Sequence, residues 1–193
     1  SKGETIREAG KGHDQGDMGS GYWIGKQAIL NLTLNETSVI GDRDLEEIMT
    51  ILLDHVDEKE FQPAIEDLNS NEDAVFIIAG LAEAVIGLAE RGNEIALAVV
   101  QEATHHVAEY ILTLADKLEY NENKIVLAGN GSIMKNDFFR KALNEELRFN
   151  FPEIKWTFSS ISPAYGAGIL AAQLYDVKVK VSDIVKGNAI VSA

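Results

Sequence analysis

The chain has 193 residues, of which 46% are hydrophobic and 25% charged, and these proportions exclude wholesale disorder and fibrous repeats. Its 17 basic and 31 acidic side chains give a net charge of −14, which argues against nucleic acid and anionic membrane surfaces as partners. The sequence contains no cysteine, which excludes disulfides, thiolate catalysis and thiolate-bound metals within this chain.

The first 25 residues contain seven of the sixteen glycines and predict mainly irregular backbone. Within this region, residues 5–9 show some alternation of polar and apolar side chains, which predicts a short strand. Glycines and polar residues then exclude regular structure from Gly10 to Gly21. A helix is predicted from about Tyr22 to Leu34, because its apolar residues recur at helical spacing.

The middle of the chain predicts four successive helices. Their expected bounds are Asp42 or Asp44 to His55, a short helix around Pro63 that ends near Leu68, Ala74 to Arg91, and about Glu94 to Lys117. Gly80 and Gly87 share one face of the third of these helices, where glycines permit close approach of another helix. The same face is a candidate contact surface for a homodimer.

The last third predicts strands that alternate with helices. The expected elements are a strand over 124–128, a turn over 129–132, a helix from Asn136 or Asp137 to Arg148, a strand over 155–158 and a helix from Ala164 to about Tyr175, opened by Pro163. This order is typical of an α/β fold. The tail over 177–193 fits a strand followed by irregular chain.

Three segments are candidate ligand sites. Residues 10–25 lead into a helix N-terminus and fit either a site for a polar small molecule or a structural loop closed by an aromatic side chain. Residues 129–132 follow a strand, where α/β proteins often bind nucleotides, although a tight turn without a ligand fits equally well. Residues 162–168 are small and fit either dense helix–sheet packing or a helix start that lines a nucleotide cleft. The adjacent His105 and His106 face different directions on a helix, so we expect no metal site there.

Together these segments resemble the N-acetylglucosamine kinase family and its bacterial and archaeal relatives, the BadF/BadG-type ATPases of the actin-like superfamily. The family loop G-G-W-G-H-x-x-G-D-E-G-S-x-Y-W-I is matched by Gly10-Lys11-Gly12-His13, Gly16-Asp17-Met18-Gly19-Ser20 and Tyr22-Trp23-Ile24-Gly25. The adenosine-side motif is similar to 127–132, and the late P-A-x-G-A motif to Pro163-Ala164-Tyr165-Gly166-Ala167. Lys11 and Met18 stand where the family has Trp and Glu.

The resemblance implies an α/β chain that forms the C-terminal half of an actin-like (ribonuclease H-like) fold, with a helical insert at about 42–118. Residues 1–193 would be a single C-terminal kinase domain, truncated at its N-terminus, because no D-G-G-G-T phosphate loop is found. A missing N-terminal kinase domain would then be its partner and would supply the general base. We expect the protein to be cytoplasmic, without nucleic acid or membrane as a partner.

The implied reaction transfers the γ-phosphate of ATP, with Mg²⁺, to N-acetylglucosamine or a related (amino)hexose. The resemblance assigns ATP binding to Gly129, Asn130, Gly131, Ser132, Ala164 and Gly166. It assigns sugar binding to Gly10, Gly12 and Asp17, and it places no catalytic or metal-binding residue within this chain, which is therefore expected not to turn over alone. The alternatives are a non-catalytic regulatory or interaction module, and an ATPase subunit of the same fold that energises electron transfer to a 2-hydroxyacyl-CoA dehydratase. Such activators hold a cluster with cysteines, and this chain has none.

Overall fold

The computed structural model describes residues 6–12, 17–35, 39, 41–159, 163–175 and 177. The elements in these residues are α1 (Gly21–Leu34), α2 (Arg43–Val56), α3 (Phe61–Ser70), α4 (Ala74–Glu90), α5 (Glu94–Lys117), β1 (Lys124–Gly129), α6 (Gly131–Lys135), α7 (Asp137–Leu147), β2 (Glu153–Phe158) and α8 (Pro163–Leu174). Apart from Val177, the strand expected in the tail lies outside the described residues. No helix in the described part of the chain is long and apolar enough to cross a membrane.

The helices predicted from capping residues and periodicity are confirmed. Asp42 caps α2, since its carboxylate accepts hydrogen bonds from the backbone amides of Asp44 and Leu45 at 3.0 and 3.2 Å. Asp73 precedes α4 as expected, but its side chain makes no capping hydrogen bond. Asn93 caps α5, because its side-chain oxygen accepts a hydrogen bond from the backbone amide of Ala96 at 2.9 Å.

Two local predictions are wrong. Residues 6–9 form no strand; the side chain of Arg7 donates to the carbonyl oxygens of Ala9 and Gly10, and Glu8 pairs with Lys117 of α5. These contacts hold the segment against its own loop and against a helix rather than beside a strand. The turn expected over 129–132 is also shorter, because residues 131 and 132 already belong to α6.

One hydrophobic core joins α1, α2, α4, α5 and α7. The close helix–helix approach predicted at Gly80 and Gly87 is met at Gly80 only by a side chain, and backbones approach closely at Gly25 of α1 instead. A methyl group placed on Gly25 would lie far inside normal contact with the carbonyl oxygen of Ile78 in α4, and 3.0 Å from its carbonyl carbon. Gly80 instead makes room for the ring of His55 from α2, and a methyl group on Gly87 would meet only a side chain, at 3.4 Å. The close approach is thus made by a glycine of the preceding glycine-rich segment.

The predicted α/β organisation is confirmed as a helix-rich fold with a small parallel sheet. β1 and β2 pair in parallel, in a register that runs from Lys124 opposite Glu153 to Gly129 opposite Phe158. Alternate strand residues pack on the core, whereas Val126 faces away from it and is 63% exposed. The connection through α6 and α7 is the crossover that parallel strands require.

Candidate functional site

The carboxylate of Asp17 organises the glycine-rich loop that precedes α1. Its Oδ1 accepts hydrogen bonds from the backbone amides of Gly10 at 2.7 Å and Lys11 at 3.0 Å, and its Oδ2 accepts from the amide of Gly12 at 3.3 Å. Gly10 and Gly12 adopt φ values of +80° and +103°, a backbone conformation that turns successive amides toward one point. The structure therefore brings together the three residues that the sequence assigned to the sugar.

This geometry changes what each of the three residues can do. The amides of Gly10 and Gly12 are directed at Asp17, so the two glycines hold the carboxylate instead of presenting amides to a ligand. A carboxylate has about four lone-pair sites, and three are engaged by these amides. Because Asp17 remains half-buried rather than sealed from solvent, its oxygens can still accept a hydrogen bond from a hydroxyl group. The segment 13–16, which includes His13, lies outside the described residues.

The end of this loop is anchored on α1 and α5. Ser20 caps α1, with its Oγ accepting a hydrogen bond from the amide of Trp23 at 3.2 Å. The Trp23 ring packs edge-on against the ring of His106 on α5, with the centroids 5.5 Å apart. Gly19 lies directly against the backbone of Ala103 in the same helix. The loop is therefore held by a continuous helix whose position the core determines.

The two adjacent histidines of α5 serve different contacts. His105 Nδ1 lies 3.2 Å from Glu146 of α7, and His106 Nδ1 lies 3.3 Å from Glu109 of its own helix. The His105–Glu146 pair connects α5 to α7, and the Trp23–His106 contact connects α5 to α1. Within the ranges that the structure describes, no group of three His, Cys, Asp or Glu side chains is arranged to hold a metal ion.

The second glycine-rich segment begins at the carboxyl end of the parallel sheet. Gly129 ends β1 and lies opposite Phe158, which ends β2. A methyl group on Gly129 would lie 2.5 Å from the Phe158 ring, so a larger residue here would push the ring aside. Asn130 then precedes α6, and Gly131 begins it with a φ of +85°. Carboxyl ends of parallel strands are the usual binding edge of α/β sheets, so this position suits a ligand.

A pocket of about 300 Å³ lies beside this segment. Its lining residues come from α4, α6 and the start of α7: Glu83, Ile86, Ser132, Ile133, Lys135 and Asn136. Ile86 and Ile133 are its apolar residues, and the other four are polar or charged, a mixture that can hold a small polar molecule. Sequence reasoning assigned only Ser132 of this set to a ligand. Glu83 did carry a signal, because it is the charged residue that interrupts the apolar run 74–89.

The two glycine-rich loops converge where α1 begins. A methyl group on Gly21, the first residue of α1, would lie 3.1 Å from the Ala79 carbonyl oxygen in α4 and 3.4 Å from the Ile133 side chain in α6. Ile133 follows Ser132 and lines the same pocket. Gly21 follows the loop organised by Asp17 (the Asp17 loop), and Ile133 follows the second glycine-rich segment. The two residues are therefore neighbours, although more than 100 positions separate them in the chain.

The last predicted segment is less closely packed than expected. Ala164 is exposed and Gly166 half-buried in α8, and no described atom lies within 4 Å of a methyl group placed on Gly166 or Gly168. The dense helix–sheet packing that small residues suggested is therefore wrong for these glycines in the described part of the chain. Nucleotide contact by Ala164 and Gly166 stays a prediction.

Known proteins resemble this chain along most of its length. The profile of the BadF/BadG/BcrA/BcrD ATPase family matches residues 2–171. A protein named N-acetylmuramic acid/N-acetylglucosamine kinase, from Clostridium acetobutylicum, is 28% identical over 175 residues, which are 88% of this chain and 55% of that protein.

A solved structure shares the fold. It is that of a candidate N-acetylglucosamine kinase from Chromobacterium violaceum, which superposes with a TM-score of 0.59 at 21% identity and covers 82% of this chain and 49% of its own. The chain thus spans about half the length of these two relatives. Because the family profile covers most of its residues, the chain belongs to the BadF/BadG/BcrA/BcrD ATPase family.

Proposed function

We propose that this chain is the nucleotide-side, C-terminal half of an ATP-dependent sugar kinase with an actin-like fold. The observation that carries the proposal is the convergence of the Asp17 loop and the Gly129–Ser132 loop at the contact between Gly21 and Ile133. A kinase must bring a hydroxyl acceptor and a nucleotide side by side, because phosphoryl transfer depends mainly on positioning. Membership in an ATPase family supports the assignment of one of these loops to ATP.

The second loop and its neighbouring pocket would hold ATP. Gly129, Asn130, Gly131 and Ser132 lie at the carboxyl edge of the sheet, where backbone can approach a ribose or phosphate closely. The neighbouring pocket of about 300 Å³ offers the apolar side chains of Ile86 and Ile133 to a base and the polar Ser132 to a ribose or phosphate. When bound, ATP supplies the phosphoryl group that is transferred, with magnesium neutralising its phosphates.

The first loop would bind the sugar through Asp17. Its carboxylate is oriented by the amides of Gly10, Lys11 and Gly12, so it is preorganised to accept a hydrogen bond from a sugar hydroxyl. The names of the two relatives favour N-acetylglucosamine as the acceptor, and one of those names adds N-acetylmuramic acid. A related amino-hexose remains the broader substrate class.

A second domain would complete the active site. The chain spans about half of each relative, and the described part of its sheet has two strands with one face exposed at Val126. Parallel sheets normally have both faces covered, so further elements of a longer protein would pack there. That other half would supply the general base and the phosphate loop, and the helices over 43–117 would be an insert between the two motifs.

Calorimetric titration of this chain with magnesium ATP, and separately with N-acetylglucosamine and N-acetylmuramic acid, tests the proposal. We expect ATP to bind and phosphoryl transfer by the chain alone to be undetectable. Failure to bind ATP would contradict the proposal and favour a non-catalytic interaction module. Sugar-dependent ATP hydrolysis by the chain alone would refute the need for a second domain.

The role of Asp17 is tested by Asp17→Asn in the same titrations. The asparagine side chain has the same shape as aspartate but no charge. Its NH₂ group is a donor, so it cannot accept hydrogen bonds from the backbone amides of the loop. We expect sugar affinity to fall by about 10- to 100-fold, the usual worth of a hydrogen bond to a charged group, with ATP affinity unchanged. Asp54→Asn, on the exposed side of α2, is the matched control and should change neither affinity.

A further inference from the structure

We propose that Arg140 of α7 is the positioning residue that holds the nucleotide loop in its binding conformation. The inference rests on the proposed function, because it concerns the loop assigned there to ATP. Arg140 was not among the residues that the sequence singled out, since it occupies an ordinary polar position of an amphipathic helix. Its importance follows from three contacts that its guanidinium group makes at once.

The first two contacts attach Arg140 to the segment that leads from the loop into α7. Its Nη1 donates a hydrogen bond to the carbonyl oxygen of Met134 at 2.9 Å, in the last turn of α6. Its Nη2 pairs with the carboxylate of Asp137, which is 78% exposed, whereas the Arg140 side chain is only 19% exposed. The ion pair keeps the guanidinium oriented while most of the side chain is buried.

The third contact reaches the carboxyl end of the sheet. The Arg140 guanidinium carbon lies 5.0 Å from the centroid of the Phe158 ring, within the range of cation–π attraction. The same ring covers Gly129, which begins the loop. Arg140 therefore holds Met134 directly and Gly129 through the Phe158 ring. These two residues bracket Asn130, Gly131 and Ser132, so one side chain restrains both ends of the segment assigned to ATP.

A lysine cannot replace this arrangement. The guanidinium is planar and carries several donors in fixed directions, so it can stack on a ring while it donates to a carbonyl and to a carboxylate. An ammonium group at the same position can satisfy one or two of these contacts but cannot reach the carbonyl, the carboxylate and the Phe158 ring at once. Arg140→Lys therefore keeps the charge and removes the geometry, which separates positioning from simple electrostatic attraction of phosphate.

The test compares Arg140→Lys with Arg148→Lys, a control just after the same helix whose arginine makes a surface pair with Glu145 at 3.1 Å and is 74% exposed. Magnesium ATP is titrated into each folded variant at a temperature where circular dichroism shows native helix content. We expect Arg140→Lys to weaken ATP binding about tenfold, which corresponds to about 1.4 kcal/mol, and Arg148→Lys to leave it unchanged.

The fluorescence of Trp156 provides a second readout, which does not depend on ATP. Trp156 stacks on Phe158, with the ring centroids 6.3 Å apart and the planes at 15°, so release of Phe158 changes its surroundings. In a Trp23→Phe background, which leaves Trp156 as the remaining tryptophan, Arg140→Lys should shift the emission and Arg148→Lys should not. If Arg140→Lys fails to fold, Phe158→Leu removes the same link and should weaken ATP binding in the same direction.

The outcomes separate the two proposals. If Arg140→Lys binds ATP as tightly as wild type, the role of Arg140 is overturned and the kinase proposal stands. If Arg140→Lys is unfolded, wild-type ATP affinity in Phe158→Leu has the same meaning. A wild-type chain that binds no ATP overturns the proposed function, and the positioning role falls with it. Weakened binding in Arg140→Lys together with an unchanged control supports both.

Discussion

Substitution of Gly25 by alanine tests how closely α1 and α4 are packed. A methyl group at this position would lie well inside 3.0 Å of the Ile78 carbonyl oxygen and within 3.2 Å of the Ile78 side chain. Real Cβ atoms essentially never approach other atoms that closely, and a backbone carbonyl in a helix cannot rotate away. The two helices would therefore have to separate by about 1 Å at the centre of a close-packed core.

The net effect is a difference between two opposing terms. Overpacking a core costs about 1–3 kcal/mol, and a rigid backbone neighbour places Gly25→Ala near the upper end of that range. Alanine gains about 1 kcal/mol over glycine in helix propensity, which offsets part of that cost. We therefore expect the free energy of unfolding to fall by about 2 kcal/mol. For a chain of this size, that loss lowers Tm by about 4–8 °C.

Gly87→Ala in α4 is the matched control. The nearest atom to a methyl group there is the Arg91 Nη1, at 3.4 Å and at the end of a flexible side chain, so propensity alone should raise stability by up to about 1 kcal/mol. Both variants are compared with wild type by urea denaturation and differential scanning calorimetry. If Gly25→Ala is as stable as Gly87→Ala, the close approach of α1 to α4 is refuted.

Two further predictions concern charge and capping. The pKa of Glu47 is lowered from its ordinary 4.5, first by the hydrogen bond from Asn93 and then by that from Arg43. The stability that ionised Glu47 contributes is therefore present above pH 4.5 and is lost as the pH falls through the lowered pKa. Glu47→Gln should therefore be less stable than wild type at neutral pH and equal to it in strong acid, when urea midpoints of the two proteins are compared across that pH range. Asn136→Ala removes the acceptor for the amide of Phe139, which lies at 3.0 Å, and should cost about 1 kcal/mol in urea denaturation. Asn136→Asp keeps the cap, so equal stability of the two Asn136 variants would show that the cap contributes nothing.

The bounds of most helices could be predicted because their signals are local. α5 begins and ends at the predicted Glu94 and Lys117, and α2 is capped by the predicted Asp42. An N-cap acts on amides two or three residues away, and helical periodicity is contained within a few turns. The cap at Asn93 was not predicted, although asparagine is a preferred residue at the N-cap position. The strand expected over 5–9 failed because Arg7 bonds to the carbonyl oxygens of its own loop, and because Glu8 pairs with the distant Lys117, which no local pattern reveals.

The sequence by itself determined which residues belong to each candidate loop, because glycines and their spacing are properties of short segments. Only the tertiary structure decided that the amides of Gly10, Lys11 and Gly12 donate to Asp17, that Gly21 meets Ile133, and that the Arg140 guanidinium lies over the Phe158 ring. Each of these contacts depends on the directions in which separate helices leave the core. Those directions follow from packing of the whole molecule, in which the approach of Gly25 to α4 and the contacts of Gly19 and Trp23 with α5 together fix where α1 lies.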